Sequence, residues 1–301
     1  MWWRQTNKNT RLSAVLEKHN VSLHDLLREL LLIADRAADV ARGFYSVAHQ
    51  LEVTRKGDST PLTDADTALH KLLSAQLKQL SLTIPVLSEE STTQDIENRL
   101  SWPVCWVIDP LDGTKEFIER TDQFTINIAL VIGGFSELGL ISIPCRHEHW
   151  LGVVDNGAAV FPEACGLVGE VITTQTRDCS RPLTMLASHR HSPKRVTALI
   201  ESLTSEFGDV RRVNSGSAVK FCDVAGGLAD VYPRTSACSE WDVAAGDALI
   251  RAAGGRVTDM YGSQIRYNCS ADLLAKPFVA SADPDVDYAA ALSQALNSGL
   301  A

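Results

Sequence analysis

The sequence lacks an excess of positive charge. Its 28 lysine and arginine residues are outnumbered by 37 aspartate and glutamate residues, so the formal net charge is −9. A protein that holds the phosphate backbone of a nucleic acid does so with a surface of fixed positive charge. We therefore expect no nucleic acid polymer among the partners of this protein.

The sequence also lacks paired cysteines. Its seven cysteines are scattered, odd in number and form no Cys-x-x-Cys pair. This distribution argues against a disulfide framework and against a zinc site. It favours small buried thiols in a reducing compartment.

Neither a secretory leader nor a long hydrophobic run is visible. Met1 to Thr6 carry neither the basic nor the apolar stretch of a signal peptide, and no apolar run approaches the roughly 18 residues of a membrane span. The predicted location is the cytoplasm. The pair Trp2-Trp3 leaves open docking on the protein body or a peripheral contact with the inner membrane.

What is present is an ordinary globular composition. Hydrophobic residues make up 45% and charged residues 22% of the chain, with 19 glycines and 11 prolines. These proportions exclude collagen-like and disordered chains. At about 150 residues per domain, the length of 301 residues predicts two domains or one large α/β body.

The order of predicted elements is that of a layered α/β protein. Residues 1–20 are polar and aperiodic, and we predict that they form an N-terminal extension outside the fold. Ser22 and Asp25 form a capping pattern for a helix that ends near Gly43, and Asp64 and Asp66 begin a second helix. Strands are predicted at 84–90, 105–109, 124–132, 138–143, 150–160, 183–187 and 228–232, and further helices at 193–206, 217–226 and 241–253. A change in composition at residues 161–163 predicts a boundary there.

The most informative segment runs from Asp109 through Asp112 and Gly113 to Thr114. Two carboxylates three residues apart, followed by Gly-Thr at the start of a helix, supply oxygen ligands and free backbone N–H groups in one turn. Metal and phosphate can share such a turn. Taken alone, the pair also fits an acidic turn with a helix cap.

Acidic residues recur at the ends of other predicted elements. Glu89 ends a strand and Asp242 begins a helix, as Asp66 does. Four carboxylates brought together would repel one another by several kcal/mol unless cations lie between them. Two Mg²⁺ ions would offset four negative charges, and bound cations would let an anionic phosphate dock on an acidic protein.

Three motifs follow one another in order along roughly residues 25 to 290. They are Glu89-Glu90-Ser91, the segment from Asp109 to Thr114, and the segment from Trp241 to Gly246. Together they resemble the magnesium-dependent, lithium-sensitive inositol monophosphatase superfamily. Residues 109–118, 124–130, 216–222 and 228–234 are similar to its bacterial 3'(2'),5'-bisphosphate nucleotidase branch of the CysQ type.

The resemblance implies a set of metal ligands. Asp109 would bridge two magnesium ions. Glu89 and the carbonyl of Leu111 would hold the first ion, and Asp112 with Asp242 the second. Whether two or three ions act stays open.

The resemblance also implies roles in catalysis and in substrate binding. Thr114 and Asp66 would orient the attacking water. The turn from Leu111 to Thr114, which includes Gly113, would contact the transferred phosphate, with Glu89 and Asp242 beside it. Lys220 and Arg234 are candidates for contacts with a phosphate or with adenine, and each is equally consistent with a solvated surface charge. The loop Ser188-His189-Arg190-His191 is a further candidate near a nucleotide.

For the fold, the resemblance implies an αβαβα sandwich of two subdomains. The first, residues 21–160, would be an α+β subdomain that carries the metal. The second, residues 161–301, would be an α/β subdomain that closes over the substrate.

For the activity, the resemblance implies hydrolysis of 3'-phosphoadenosine 5'-phosphate to AMP and phosphate by metal-activated water, with 3'-phosphoadenylyl sulfate as a further candidate substrate. An inositol or other sugar phosphatase of the same fold is the alternative, and Lys115-Glu116-Phe117 favours the nucleotide. A non-catalytic sensor of the bisphosphate is disfavoured because Thr114 and Asp66 are both present. The sequence leaves the oligomeric state open.

Overall fold

The computed structural model of the protein describes residues 10–46, 53–55, 61–80, 82, 84–188 and 193–297. The helices of these residues are α1 (Thr10–His19), α2 (Leu23–Ser46), α3 (Asp64–Gln79), α4 (Thr93–Asn98), α5 (Thr114–Glu119), α6 (Pro193–Phe207), α7 (Val219–Ala225), α8 (Ala244–Ala253) and α9 (Tyr288–Asn297). The strands are β1 (Val53–Arg55), β2 (Pro61–Thr63), β3 (Val86–Ser88), β4 (Val104–Asp112), β5 (Thr125–Ile132), β6 (Phe135–Ile143), β7 (Glu148–Val153), β8 (Gly157–Pro162), β9 (Glu170–Ile172), β10 (Leu183–Ala187), β11 (Val210–Asn214), β12 (Val231–Arg234), β13 (Cys238–Ser239), β14 (Arg256–Asp259), β15 (Leu274–Ala275) and β16 (Phe278–Ser281).

Two sheets dominate the fold. The larger has seven strands in the order β3-β4-β5-β6-β7-β8-β9, in which β3 and β4 are parallel and the other neighbours are antiparallel. The smaller has five strands in the order β11-β10-β12-β16-β14. Two short antiparallel pairs, β1 with β2 and β13 with β15, complete the pairing among the described residues.

Five layers of helices and sheets pack against one another through three buried apolar clusters. Alternate residues of a strand face opposite sides of a sheet. In β4, Trp106 and Ile108 pack with α2 and α3 on one side, while Cys105 and Val107 pack with α7 and α8 on the other. The second sheet lies beyond α7 and α8, and its far face is covered by α6 and α9. The predicted αβαβα layering is confirmed.

Glycines let α8 approach the larger sheet closely. A Cβ atom on Gly139 of β6 would lie 2.0 Å from the carbonyl oxygen of Ala245, and one on Gly152 of β7 would lie 2.7 Å from the Cα atom of Leu249. Real Cβ atoms do not approach other atoms so closely, so only glycine fits at these points. This contact fixes the height of α8 above the sheet and hence the position of the turn that precedes it.

Residues 10–19 of the predicted N-terminal extension dock on the body of the protein. These form α1, in which Leu12, Val15 and Leu16 are buried in the cluster that holds α2 and α3. Arg11 donates to Glu137 at 2.7 Å and lies over the ring of Phe135. The apolar residues at i, i+3 and i+4 make one helical face, which polar neighbours obscure in the sequence.

Other sequence predictions differ from the structure in detail. Helix α2 continues past Gly43 to Ser46, because a single glycine lowers helix stability without ending a packed helix. Strand β9 still pairs with β8 beyond the boundary predicted near residue 161, so the division into subdomains at residues 160 and 161 stays a prediction. The pair Trp2-Trp3 lies outside the described residues.

No helix among the described residues is both long enough and apolar enough to cross a lipid bilayer. The contact with a membrane surface that the sequence leaves open stays a prediction.

Candidate active site

The acidic turn at the end of β4 is shaped by a break in strand pairing. The register of β4 with β5 shifts between Asp109 and Asp112, which turns both side chains out of the regular alternation. The backbone N–H of Leu111 donates to Asp109 Oδ1 at 3.1 Å. Gly113 follows with a φ of 85°, a left-handed conformation that favours glycine, and α5 begins at Thr114.

The third acidic residue arrives from a distant part of the chain. Asp242 ends a 3-10 turn, Glu240–Asp242, that precedes α8. Asp109, Asp112 and Asp242 each offer a carboxylate oxygen, and these oxygens all lie within 4.8 Å of one another. The structure therefore brings together three of the predicted metal ligands, although it does not test their roles.

Two further acidic residues border this group. Glu89 lies in the turn after β3, and its charge contributes to the raised pKa values of both Asp109 and Asp242. Asp66, buried in the first turn of α3, accepts a hydrogen bond from Thr114 Oγ1 at 3.4 Å. The same hydroxyl lies 3.3 Å from the carbonyl oxygen of Leu111. Glu89 is not part of the three-carboxylate group, whereas Thr114, Asp66 and Leu111 share one hydrogen-bond cluster.

The electrostatics of the site are those of crowded carboxylates. Burial, followed by the charges of Asp112, Glu89, Asp242 and Asp66, raises the pKa of Asp109 well above its usual value. Burial and the charge of Asp112 raise the pKa of Asp242 to about 7, although Arg234 acts in the opposite direction. Such a group takes up either protons or cations, because both relieve the repulsion.

A cavity of about 280 Å³ opens beside the carboxylates. Asp112, Gly113 and Asp242 line one part of it, and two cationic side chains, Lys220 and Arg234, line another. Three aromatic residues, Phe221, Tyr232 and Phe278, border the cavity, but their side chains are almost fully buried. Acidic and basic groups thus face one cavity.

The side chains of Lys220 and Arg234 have different surroundings. Lys220 is almost fully buried on α7, where its Nζ donates to the carbonyl oxygens of Ser215 and Ser217 and lies 5.2 Å from the centre of the Tyr232 ring. Burial lowers the pKa of Lys220 to about 8. Arg234 at the end of β12 lies 3.8 Å from Asp242 Oδ2. Both sequence candidates face the cavity, and their contact with a substrate stays a prediction.

Sequence reasoning missed several residues of the site. Ser217 and Thr125 both contact the carboxylate of Asp112, at 2.5 and 3.3 Å from Oδ2. Both residues stand within segments that resemble the family, 216–222 and 124–130, but neither segment by itself indicates a contact with Asp112. Ser188 lines the cavity, as the prediction for its loop implies, and His189, Arg190 and His191 lie outside the described residues.

An αβαβα sandwich with grouped carboxylates beside a polar cavity belongs to the class of metal-binding α/β enzymes. A family model described as the inositol monophosphatase family matches residues 23–298. The chain belongs to the inositol monophosphatase family, whose members are metal-dependent phosphatases.

Several relatives that match most of this chain are named 3'(2'),5'-bisphosphate nucleotidase CysQ. The 3'(2'),5'-bisphosphate nucleotidase CysQ of Salmonella typhimurium is 38% identical over 242 residues, which cover 80% of this chain and 94% of the relative. The protein of the same name from Haemophilus influenzae is 33% identical over 263 residues, covering 87% and 95%. The crystal structure of CysQ from Bacteroides thetaiotaomicron aligns with a TM-score of 0.72 and 33% identity, covering 86% of this chain and 97% of that chain.

Proposed function

We propose that this protein is a magnesium-dependent phosphatase that removes the 3'-phosphate of 3'-phosphoadenosine 5'-phosphate, giving AMP and phosphate. The observation that carries the proposal is the convergence of Asp109, Asp112 and Asp242 from two distant segments. Two of these carboxylates, Asp112 and Asp242, line a cavity that two cationic side chains also line. The names of the relatives, which are bisphosphate nucleotidases, support the choice of substrate.

The donor set fits hard divalent cations. All three grouped ligands are carboxylates, with Glu89 beside them, and oxygen ligands of this kind suit Mg²⁺. The raised pKa values of Asp109 and Asp242 fit as well, because a cation would replace the protons that these groups otherwise hold. When bound, Mg²⁺ would supply charge stabilisation for the phosphoryl oxygens and a water of lowered pKa.

The hydroxyl of Thr114 and the carboxylate of Asp66 are the groups that would orient the attacking water. They lie 3.4 Å apart at the start of α5 and of α3, beside the turn that carries Asp109 and Asp112. Asp66 would accept a proton from the water through Thr114. The backbone N–H groups at the start of α5 point toward the place where the phosphate would lie.

The nucleotide would occupy the cationic side of the cavity. Lys220, whose pKa of about 8 leaves it mostly protonated at neutral pH, and Arg234 would bind the second phosphate. Inositol 1-phosphate has no second phosphate for these two side chains to bind.

The test is a panel of phosphate-release assays with and without Mg²⁺. We expect kcat/KM for 3'-phosphoadenosine 5'-phosphate to exceed that for inositol 1-phosphate, turnover to stop in EDTA, and Li⁺ to inhibit. Faster hydrolysis of inositol 1-phosphate would replace the proposal with a sugar phosphatase. Tight binding of the bisphosphate without Mg²⁺-dependent turnover would identify a non-catalytic binding protein.

A further inference from the structure

A chain of polar groups lies behind the carboxylate of Asp112. Ser217 Oγ lies 2.5 Å from Asp112 Oδ2, and Thr125 Oγ1 lies 2.6 Å from Ser217 Oγ. Thr125 Oγ1 also donates to Asn127 Oδ1 at 3.0 Å. Thr125 and Asn127 are almost fully buried on β5, where residues two apart face the same side.

Two hydroxyls of this chain contact the carboxylate of Asp112. Ser217 Oγ donates to Asp112 Oδ2, and Thr125 Oγ1 lies 3.3 Å from the same oxygen. A carboxylate oxygen accepts from both neighbours. Thr125 therefore holds Asp112 Oδ2 directly and also through its contact with Ser217.

The turn that carries Ser217 is held at a second point. Gly216 donates its backbone N–H to Gln123 Oε1 at 2.7 Å, and Gln123 lies two residues before Thr125. Ser217 itself has a φ of 46°, a strained conformation for a residue with a side chain. The segment that enters β5 therefore anchors the turn twice and aims the Ser217 hydroxyl at Asp112.

We propose that Thr125 is a positioning residue for divalent-cation binding. Its hydroxyl, in contact with both Ser217 Oγ and Asp112 Oδ2, fixes Asp112 Oδ2 and leaves Asp112 Oδ1 to bind the cation. The inference rests on the proposed function in one respect, because it requires Asp112 to be a metal ligand. Hydrogen-bonding partners of ligating carboxylates typically change metal affinity by about 10- to 100-fold when they are removed.

Thr125→Val tests the inference because valine has the shape of threonine without its hydroxyl. The measurement is calorimetric titration of the metal-free protein with MgCl₂ in the absence of substrate. We expect Thr125→Val to weaken Mg²⁺ binding by roughly tenfold or more, and Thr125→Ser, which keeps the hydroxyl, to bind close to the wild type. Thr258→Val is the matched control, since it makes the same change at a buried threonine of β14 in the other sheet.

Activity assays separate this inference from the proposed function. In Thr125→Val, saturating Mg²⁺ should restore most of kcat while the Mg²⁺ concentration for half-maximal rate rises. Equal Mg²⁺ affinity in Thr125→Val and the wild type overturns the inference, as does equal loss in Thr125→Ser or in Thr258→Val. A wild type that binds Mg²⁺ but releases no phosphate from the bisphosphate overturns the proposed function alone, and one that binds no Mg²⁺ overturns both.

Discussion

Replacing Asp109 with asparagine should have opposite effects on stability and on activity. Asp109 is buried, and its carboxylate lies within 4.8 Å of those of Asp112 and Asp242. Asparagine keeps the size of the side chain and one oxygen but removes the charge. Without metal the folded protein should become more stable, whereas the proposed cation site should lose its central ligand.

The expected gain in the stability of the metal-free protein follows from Coulomb's law. Two unit charges at 4.8 Å repel by about 3.5 kcal/mol at an effective dielectric constant of about 20. Because Asp109 faces two carboxylates, the repulsion is about 7 kcal/mol with all three charged, and proton uptake by Asp109 and Asp242 relieves part of it. A gain of a few kcal/mol remains, and at about 2–4 °C per kcal/mol it would raise Tm by several degrees.

The assay is thermal unfolding in EDTA and in MgCl₂, together with phosphate release from 3'-phosphoadenosine 5'-phosphate. We expect Asp109→Asn to unfold at a higher temperature than the wild type in EDTA and to gain little from Mg²⁺. Its turnover at saturating Mg²⁺ should fall below about a tenth of the wild-type rate, where one factor of ten is 1.36 kcal/mol. Asp209→Asn, at an exposed aspartate, is the control. A wild-type Tm shift with Mg²⁺ in Asp109→Asn would refute the ligand role.

Three further predictions concern single positions. Thr114→Ala should lower kcat by roughly a hundredfold with little change in Mg²⁺ affinity, and a defect mainly in Mg²⁺ titration would make Thr114 a structural cap instead. Burial raises the pKa of Asp247 to about 7, so its contribution to stability is full below the unfolded pKa near 4 and is lost as pH rises to about 7. The Tm advantage of Asp247→Asn over the wild type should therefore grow from about pH 4 to about pH 7 and then level off, and a constant difference over this range would contradict this. Gly139→Ala should destabilise the protein by about 3 kcal/mol or more in denaturant unfolding, because the new Cβ would meet the backbone of α8. Gly43→Ala, where nothing lies within 4 Å, should be neutral or stabilising, and similar losses in both would show that close approach is not the cause.

The packing of α8 explains why Gly139→Ala should also affect the candidate active site. Asp242 lies in the turn that precedes α8, and the height of α8 is set by glycines of β6 and β7. A helix pushed away from the sheet would carry Asp242 away from Asp109. Stability and Mg²⁺ affinity should therefore fall together in Gly139→Ala.

The sequence by itself determined the chemistry of the site and most of its local structure. The pair Asp109 and Asp112, the strand end at Glu89 and the helix start at Asp242 are local patterns, and local patterns depend on a few neighbouring residues. The helix start at Asp64 and the helix end at residue 253 were predicted for the same reason. The layered fold followed from the order of these elements and from the family resemblance.

The tertiary structure alone decided which distant groups meet. Nothing near Thr125 in the sequence indicates that its hydroxyl lies 2.6 Å from that of Ser217, and nothing near Arg11 indicates that α1 docks on Glu137. The raised pKa of Asp247 likewise comes from burial, which the sequence does not state. Such contacts depend on how whole layers pack against each other, because the free energy that brings two residues together is contributed by many other residues of the core.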